Sequence, residues 1–378
     1  MKTIGIIIFI AIMLPAFALI GNANEVDNQI MSSIESDLNN FQSSLPKNVQ
    51  EFFPSEVFNG DFSPLINGEI NEKSFLELTI SYVLAGLDVV LKNFSAILLL
   101  LTIIAVFNML CASFKESNLK SVFTICSTLC MAISVFGICG NLISNAAEHI
   151  KILCYTMNSF LPVMITLLTI SGNISTAVMT NGSMLLFIGL VDGFLLAFML
   201  PLTKMCLAFG CANSINSELD LSGVSKTVKN TFTSVTVFVM SLFLFILSYK
   251  STLSQSADSI SLKATRFAIS SFVPLVGSSV NDALRTVSSS LSLIKNSCGI
   301  IAIIAIAVLM LPVIINLFLN KISFSFLSTI AKATNSQKEA QLLDEADSVC
   351  GFALTLVCST SVLFIFALTI FLKTGVVQ

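Results

Sequence analysis

The sequence predicts an all-α polytopic membrane protein, and three observations carry that prediction. Hydrophobic residues make up 55% of the 378 residues and charged ones only 11%, against roughly 25% charged in an average globular protein. Mean hydropathy is +0.91, an apolar excess that one core cannot hide, so lipid must act as solvent for much of the chain. Uncharged runs of bilayer length, finally, recur along the sequence. A net charge of -3 with only two arginines, Arg266 and Arg285, excludes an electrostatic nucleic-acid binder.

The elements follow in chain order. Residues 1–23 carry Lys2, an apolar run from Ile4 to Ile20 and the small-x-small triplet Gly21, Asn22, Ala23. This reads as a secretory signal cleaved after Ala23, the other reading being an uncleaved first helix. Residues 24–80 form an exported acidic segment, in which ten acids and two lysines, Lys47 and Lys73, leave a charge of -8 over 24–78. There Val26, Ile30, Ile34, Leu38, Phe41 and Leu45 fall on one helical face that Pro46 ends. Such a stripe must pack on a partner, on the chain's own membrane domain or on the bilayer surface. A second amphipathic run, Leu76 to Leu91, leads on, with Asp88 and Lys92 spaced four apart for an ion pair.

The membrane domain, 81–378, contains about seven transmembrane helices, near 93–114, 121–143, 152–171, 183–205, 230–249, 297–320 and 349–372. Each is close to the roughly 20 residues that cross a bilayer. The uncharged stretch 152–191 is too long for one crossing, and SGNISTAVMTNGS within it is polar enough to turn between two. An exported start and seven crossings put Gln378 in the cytoplasm, with eight basic residues inside and six, Lys151 among them, outside. Trp is absent, so Tyr82, Tyr155 and Tyr249 supply what aromatic belt there is.

Residues 262–296 hold both arginines. The apolar run Phe267 to Val276 is interrupted by Pro274 and followed by Gly277; Val280, Ala283, Leu284, Val287, Leu291 and Ile294 then share one helical face beside Asp282 and Arg285. Two readings stand: an interfacial amphipathic helix, or a re-entrant hairpin beside a polar cavity.

The order of signal peptide, acidic segment and about seven helices is joined by the SFVPLVG break and a Ser-rich helix ending in Leu293, Ile294, Lys295, Asn296 and Gly299. With the LLDEADSV lead-in (Leu342 to Val349) to the last helix, this resembles the stage III sporulation protein AE family of endospore-forming bacteria. The resemblance covers essentially the whole chain and is most specific over Phe272 to Gly299, departing at Ser278 and Ser279. It implies a multi-pass protein of the mother-cell membrane around the forespore. The protein would be a subunit of the channel or secretion-like complex joining the two cells, needed for endospore development. The implied partners are other proteins of the same operon, including a secretion-type ATPase and ring-forming proteins, besides membrane lipid and further copies of the chain.

The residues add their own constraints. No G-x-x-x-x-G-K-[ST] occurs, so ATP-driven work must come from a partner. His149 is the single histidine, too little for a zinc site or a catalytic triad, and reads as a residue of a short loop between helices. The ten cysteines lie in or beside apolar helices and read as reduced packing residues. No enzyme activity, cofactor or metal is expected. Asp192 sits near the middle of the fourth span, between Gly189 and Gly193. A carboxylate at that depth marks either a conduction path or a protonated or hydrated packing position, with the glycines offering a close helix contact. Lys204 is too far along the same helix to neutralise it. Two other classes of function remain: a permease or secondary carrier with Asp192 and the 267–277 break as its site, and an assembly scaffold without a conduction path.

Overall fold

The computed structural model describes residues 23–59, 64, 72–113, 117–171, 173–215, 223, 227–246, 248–249 and 277–373. The expected signal peptide, Arg266 and Pro274 lie outside the described residues. No strand occurs among those described; the protein is all-α, and among the described residues six helices are long and apolar enough to cross a membrane.

Helix α1 (Ala23–Ser44) forms where the stripe predicted it, and Ile34, Leu38, Phe41 and Leu45 are buried. They pack on the chain's own long helix α5 (Ser117–Ile170). The Phe41 and Phe160 ring centroids lie 4.9 Å apart, and Thr166 donates to Asp37 at 3.0 Å. The outward face of α1, with Ser36, Asn39, Asn40 and Ser43, is polar and exposed. Two short helices follow, α2 (Lys47–Gln50) and α3 (Ser55–Phe58), each opened by a proline whose fixed φ suits a helix start. Phe53 and Phe58 pack edge-on between them.

Helix α4 (Glu72–Ser113) includes the predicted Asp88–Lys92 pair at 2.9 Å, fully at the surface. It runs back into α5, where the structure departs from the sequence reading. The predicted spans 121–143 and 152–171 are one unbroken helix of 54 residues, about 80 Å long at 1.5 Å per residue. His149 is therefore helical rather than in a loop, with Nδ1 3.0 Å from the Asn145 carbonyl. The physical reason is that Ser144–Lys151 contains neither Gly nor Pro; polarity alone does not stop a helix.

A turn at Ser171–Asn173 leads to α6 (Ile174–Leu190), nine residues earlier than the predicted span. Nine residues of π-helix, Val191–Met199, join it without a break to α7 (Leu200–Ile215), where the Leu200 N–H reaches back five residues to Leu195. Pro201 explains the position: its ring and missing N–H disrupt the α-type ladder four residues back, and a wider turn relieves the crowding. Helix α8 (Thr227–Ile246) and two long helices, α9 (Gly277–Ala333) and α10 (Gln337–Lys373), complete the bundle. The predicted amphipathic stretch after Gly277 is continuous with the next span, as the first five turns of the 57-residue α9; residues 262–276 lie outside the described residues. Asp282 and Arg285 lie on these turns, and Lys295 further along α9 is buried.

Contacts fix the register. Helices α5 and α10 run parallel, with Thr128 hydrogen-bonded to Glu339 and the free thiol of Cys139 facing that of Cys350. Helices α9 and α10 form an antiparallel hairpin, closed by Asn335 at φ 58, a left-handed position that asparagine tolerates. Glycines mark two close approaches: a Cβ at Gly299 would collide with Leu372, and one at Gly210 would come 2.9 Å from the Glu345 Cβ. The apolar helices 297–320 and 349–372 belong to the most deeply buried spans of the six.

Candidate functional site

Two groups of charged side chains within the bundle stand out. One is the tip of the α9–α10 hairpin, where LLDEADSV supplies three acids, each paired with a lysine. Lys321 bonds Asp347 at 2.8 Å, Lys332 bonds Asp344 at 2.8 Å, and Lys229 on α8 bonds Glu345 at 2.6 Å. Ser328 also donates to Asp344. One turn nearer the loop, buried Glu339 accepts from Ser127 and Thr128 at 3.1 Å each, and Asn108 donates to Ser336 at 3.3 Å. The tip is thus tied to both α4 and α5.

The other place is a groove of about 680 Å³ between α5 and the π-helical stretch. Ser144, Glu148 and Lys151 line it from α5, and Asp192, Leu196, Pro201 and Lys204 from the facing helix. All four charged side chains are exposed. Lys204 reaches across to Ser144 Oγ at 3.5 Å. Among the described residues Glu148, Lys151 and Asp192 make no ion pair.

Asp192 and Lys204 both line this groove but stay twelve residues apart on one continuous helix, as the sequence reading had them, and α5 adds Glu148 and Lys151, whose part that reading missed. Their signal was the helical spacing of Ser144, Glu148 and Lys151, which only an unbroken α5 puts on one face. Asp192 lies near the middle of the continuous helix Ile174–Ala212, with its side chain exposed. The uncharged arms 152–170 and 174–191 meet at the Ser171–Asn173 turn, and Lys151 and Asp192 are the first charged residues on either arm. Gly189 and Gly193 do not form the expected close contact, since a Cβ at either would meet nothing within 4 Å. Among the described residues, Lys295 does not line the groove. Groups of His, Cys, Asp and Glu able to hold a metal are absent among the described residues.

Comparison with known proteins decides the family. Residues 62–375 match the family described as Stage III sporulation protein AE, which is most of the chain. The protein belongs to the stage III sporulation protein AE family. Stage III sporulation protein AE of Bacillus subtilis (strain 168) is 21% identical over 361 residues, spanning 93% of this chain and 89% of that one. No solved structure matches. Membership gives the chain a role in sporulation and agrees with its six membrane-length helices.

Proposed function

We propose that the protein is a non-enzymatic membrane subunit of the channel or secretion-like complex between mother cell and forespore, seated in the mother-cell membrane. The observation that carries this reading is the height of its apolar surface. Large apolar side chains are exposed from Val122 near one end of α5 to Ile174 beyond the other, a rise of roughly 70 Å at 1.5 Å per residue. A bilayer core covers only about 30 Å, so the rest of that surface needs protein against it.

The bilayer is assigned to the 93–113 and 121–143 half, whose level also holds the LLDEADSV acids, each paired with a lysine as charge at membrane depth requires. The other half carries α1 on its flank, and a polar face such as Ser36, Asn39, Asn40 and Ser43 is costly in lipid. That half, with the 152–190 hairpin and the buried helices 297–318 and 350–373, would stand outside the membrane as a stem. Exposed Val178, Leu186, Leu293 and Val362 would be covered there by neighbouring subunits of the complex. The absence of a P-loop motif leaves nucleotide hydrolysis to a partner ATPase.

Co-purification from sporulating cells tests the proposal. The wild-type chain should bring down proteins of its operon, and Leu186→Glu with Val362→Glu should lose them while still inserting in the membrane. Solute uptake by the purified protein alone in vesicles, abolished by Asp192→Asn, would overturn it in favour of a carrier.

A further inference from the structure

We propose that the groove between α5 and the π-helical stretch binds the headgroup of a membrane aminophospholipid, phosphatidylethanolamine. The inference rests on the membrane placement of the bundle and not on the channel reading.

Height comes first. Helix α5 carries two apolar stretches of bilayer length, 121–143 and 152–170, on either side of Ser144–Lys151. One helix that crosses a bilayer once can put only one of them in lipid. Whichever it is, the segment between them lies at the membrane surface. Asp88 and Lys92 support this level from α4, because Gly86 packs against Ile315 and Leu319 of α9, just before Lys321 and its partner Asp347, which sits near Cys350 opposite Cys139 of α5. The groove is therefore where phosphates and ammonium groups of lipids are concentrated.

Chemistry selects the headgroup. Lys151 and Lys204 offer ammonium groups to a phosphodiester, and Ser144 a hydroxyl. Asp192 and Glu148 offer carboxylates to an ammonium group. The groove holds both signs of charge, and three of the four groups have no ion-pair partner among the described residues, so a zwitterion can pair at both of its ends where a simple anion or cation can pair at only one. Phosphatidylethanolamine presents three N–H donors that the carboxylates can accept; phosphatidylcholine presents none, and phosphatidylglycerol lacks the cation altogether. The groove walls Ile143, Leu196 and Leu200 meet the glycerol end. Exposed Met205 on α7, with Ile133 and Phe136 on α5, continues an apolar track for the acyl chains. The π-helical turns serve this site by widening the helix opposite Lys151, a common use of such segments.

The test is lipid retention by the full-length protein. It would be reconstituted in nanodiscs of equal phosphatidylethanolamine, phosphatidylglycerol and phosphatidylcholine and then examined by native mass spectrometry. Phosphatidylethanolamine should be retained over the other two by about tenfold, the effect of one charge-assisted hydrogen bond. Lys151→Gln with Lys204→Gln should cut retention of all three lipids. Asp192→Asn with Glu148→Gln should remove the preference and raise phosphatidylglycerol. Both variants change exposed residues, and an unchanged helical spectrum and size-exclusion profile would certify their fold. Retention that follows bulk composition, or that survives both double substitutions, would overturn the proposal. So would displacement by millimolar glycerophosphoethanolamine, which would mark a site for a soluble phosphate ester instead.

Discussion

The hairpin tip and the groove use the same residue types in opposite ways. At the tip every acid of LLDEADSV has its lysine, and the buried carboxylate of Glu339 has two hydroxyl donors. In the groove Glu148, Lys151 and Asp192 face open space without ion pairs among the described residues. The difference separates charge that holds the bundle from charge kept for something else. Partnered charges out of water stabilise only as a complete set, since losing one leaves the other uncompensated. Charges left at an exposed surface cost the fold little and remain available.

Several substitutions would break or sharpen that contrast. The largest effect is expected from Ala147→Pro, which should destabilise the protein by about 3 kcal/mol or more if the groove stands on an unbroken helix. Thermal unfolding in detergent reads it, and tolerance of proline there would restore the loop that polarity suggested. Gly210→Val should cost about 2 kcal/mol, because the new Cβ would meet the Glu345 Cβ at 2.9 Å, close to that residue's backbone rather than at its flexible end. Lys229→Met should destabilise by roughly 2 kcal/mol, leaving a half-buried Glu345 unpaired, and adding Glu345→Gln should restore most of the loss. A double-mutant cycle with no coupling would remove the tip from its structural role. Glu339→Ala should cost about 1 kcal/mol, since Ser127 and Thr128 keep their bonds to the Thr124 carbonyl. Asp192→Asn should shift the unfolding midpoint least, by less than about 0.5 kcal/mol; a loss as large as that of Lys229→Met would make the groove structural too.

How much of this could be read beforehand depended on whether the signal was local. The stripe Ile34, Leu38, Phe41 and Leu45 was legible because one helix face is a matter of spacing, and the structure buries all four. The Asp88–Lys92 pair was legible for the same reason. The continuity of α5 was obscured because Asn145, Glu148 and Lys151 are polar, although they are acceptable helix residues. The place of Asp192 was only partly legible: the whole of SGNISTAVMTNGS was read as a turn, whereas the helix restarts at Ile174, which leaves Asp192 at the far end of the uncharged arm 174–191. The partners of LLDEADSV were hidden because Lys229 and Lys321 meet it only through tertiary packing. The Gly189 and Gly193 spacing suggested a helix contact, yet pattern cannot say which way a face points.

The unbroken run of α5 has a mechanical consequence. A rod of about 80 Å that pivots where it enters the membrane converts a tilt of about 5° into a sweep of several ångströms between its ends. Pushing by a subunit at the Phe160–Thr166 end would therefore be felt at Ser127 and Thr128, where α5 grips Glu339. With α5 spanning the bilayer as proposed, force applied on one side would be read on the other without any helix unfolding.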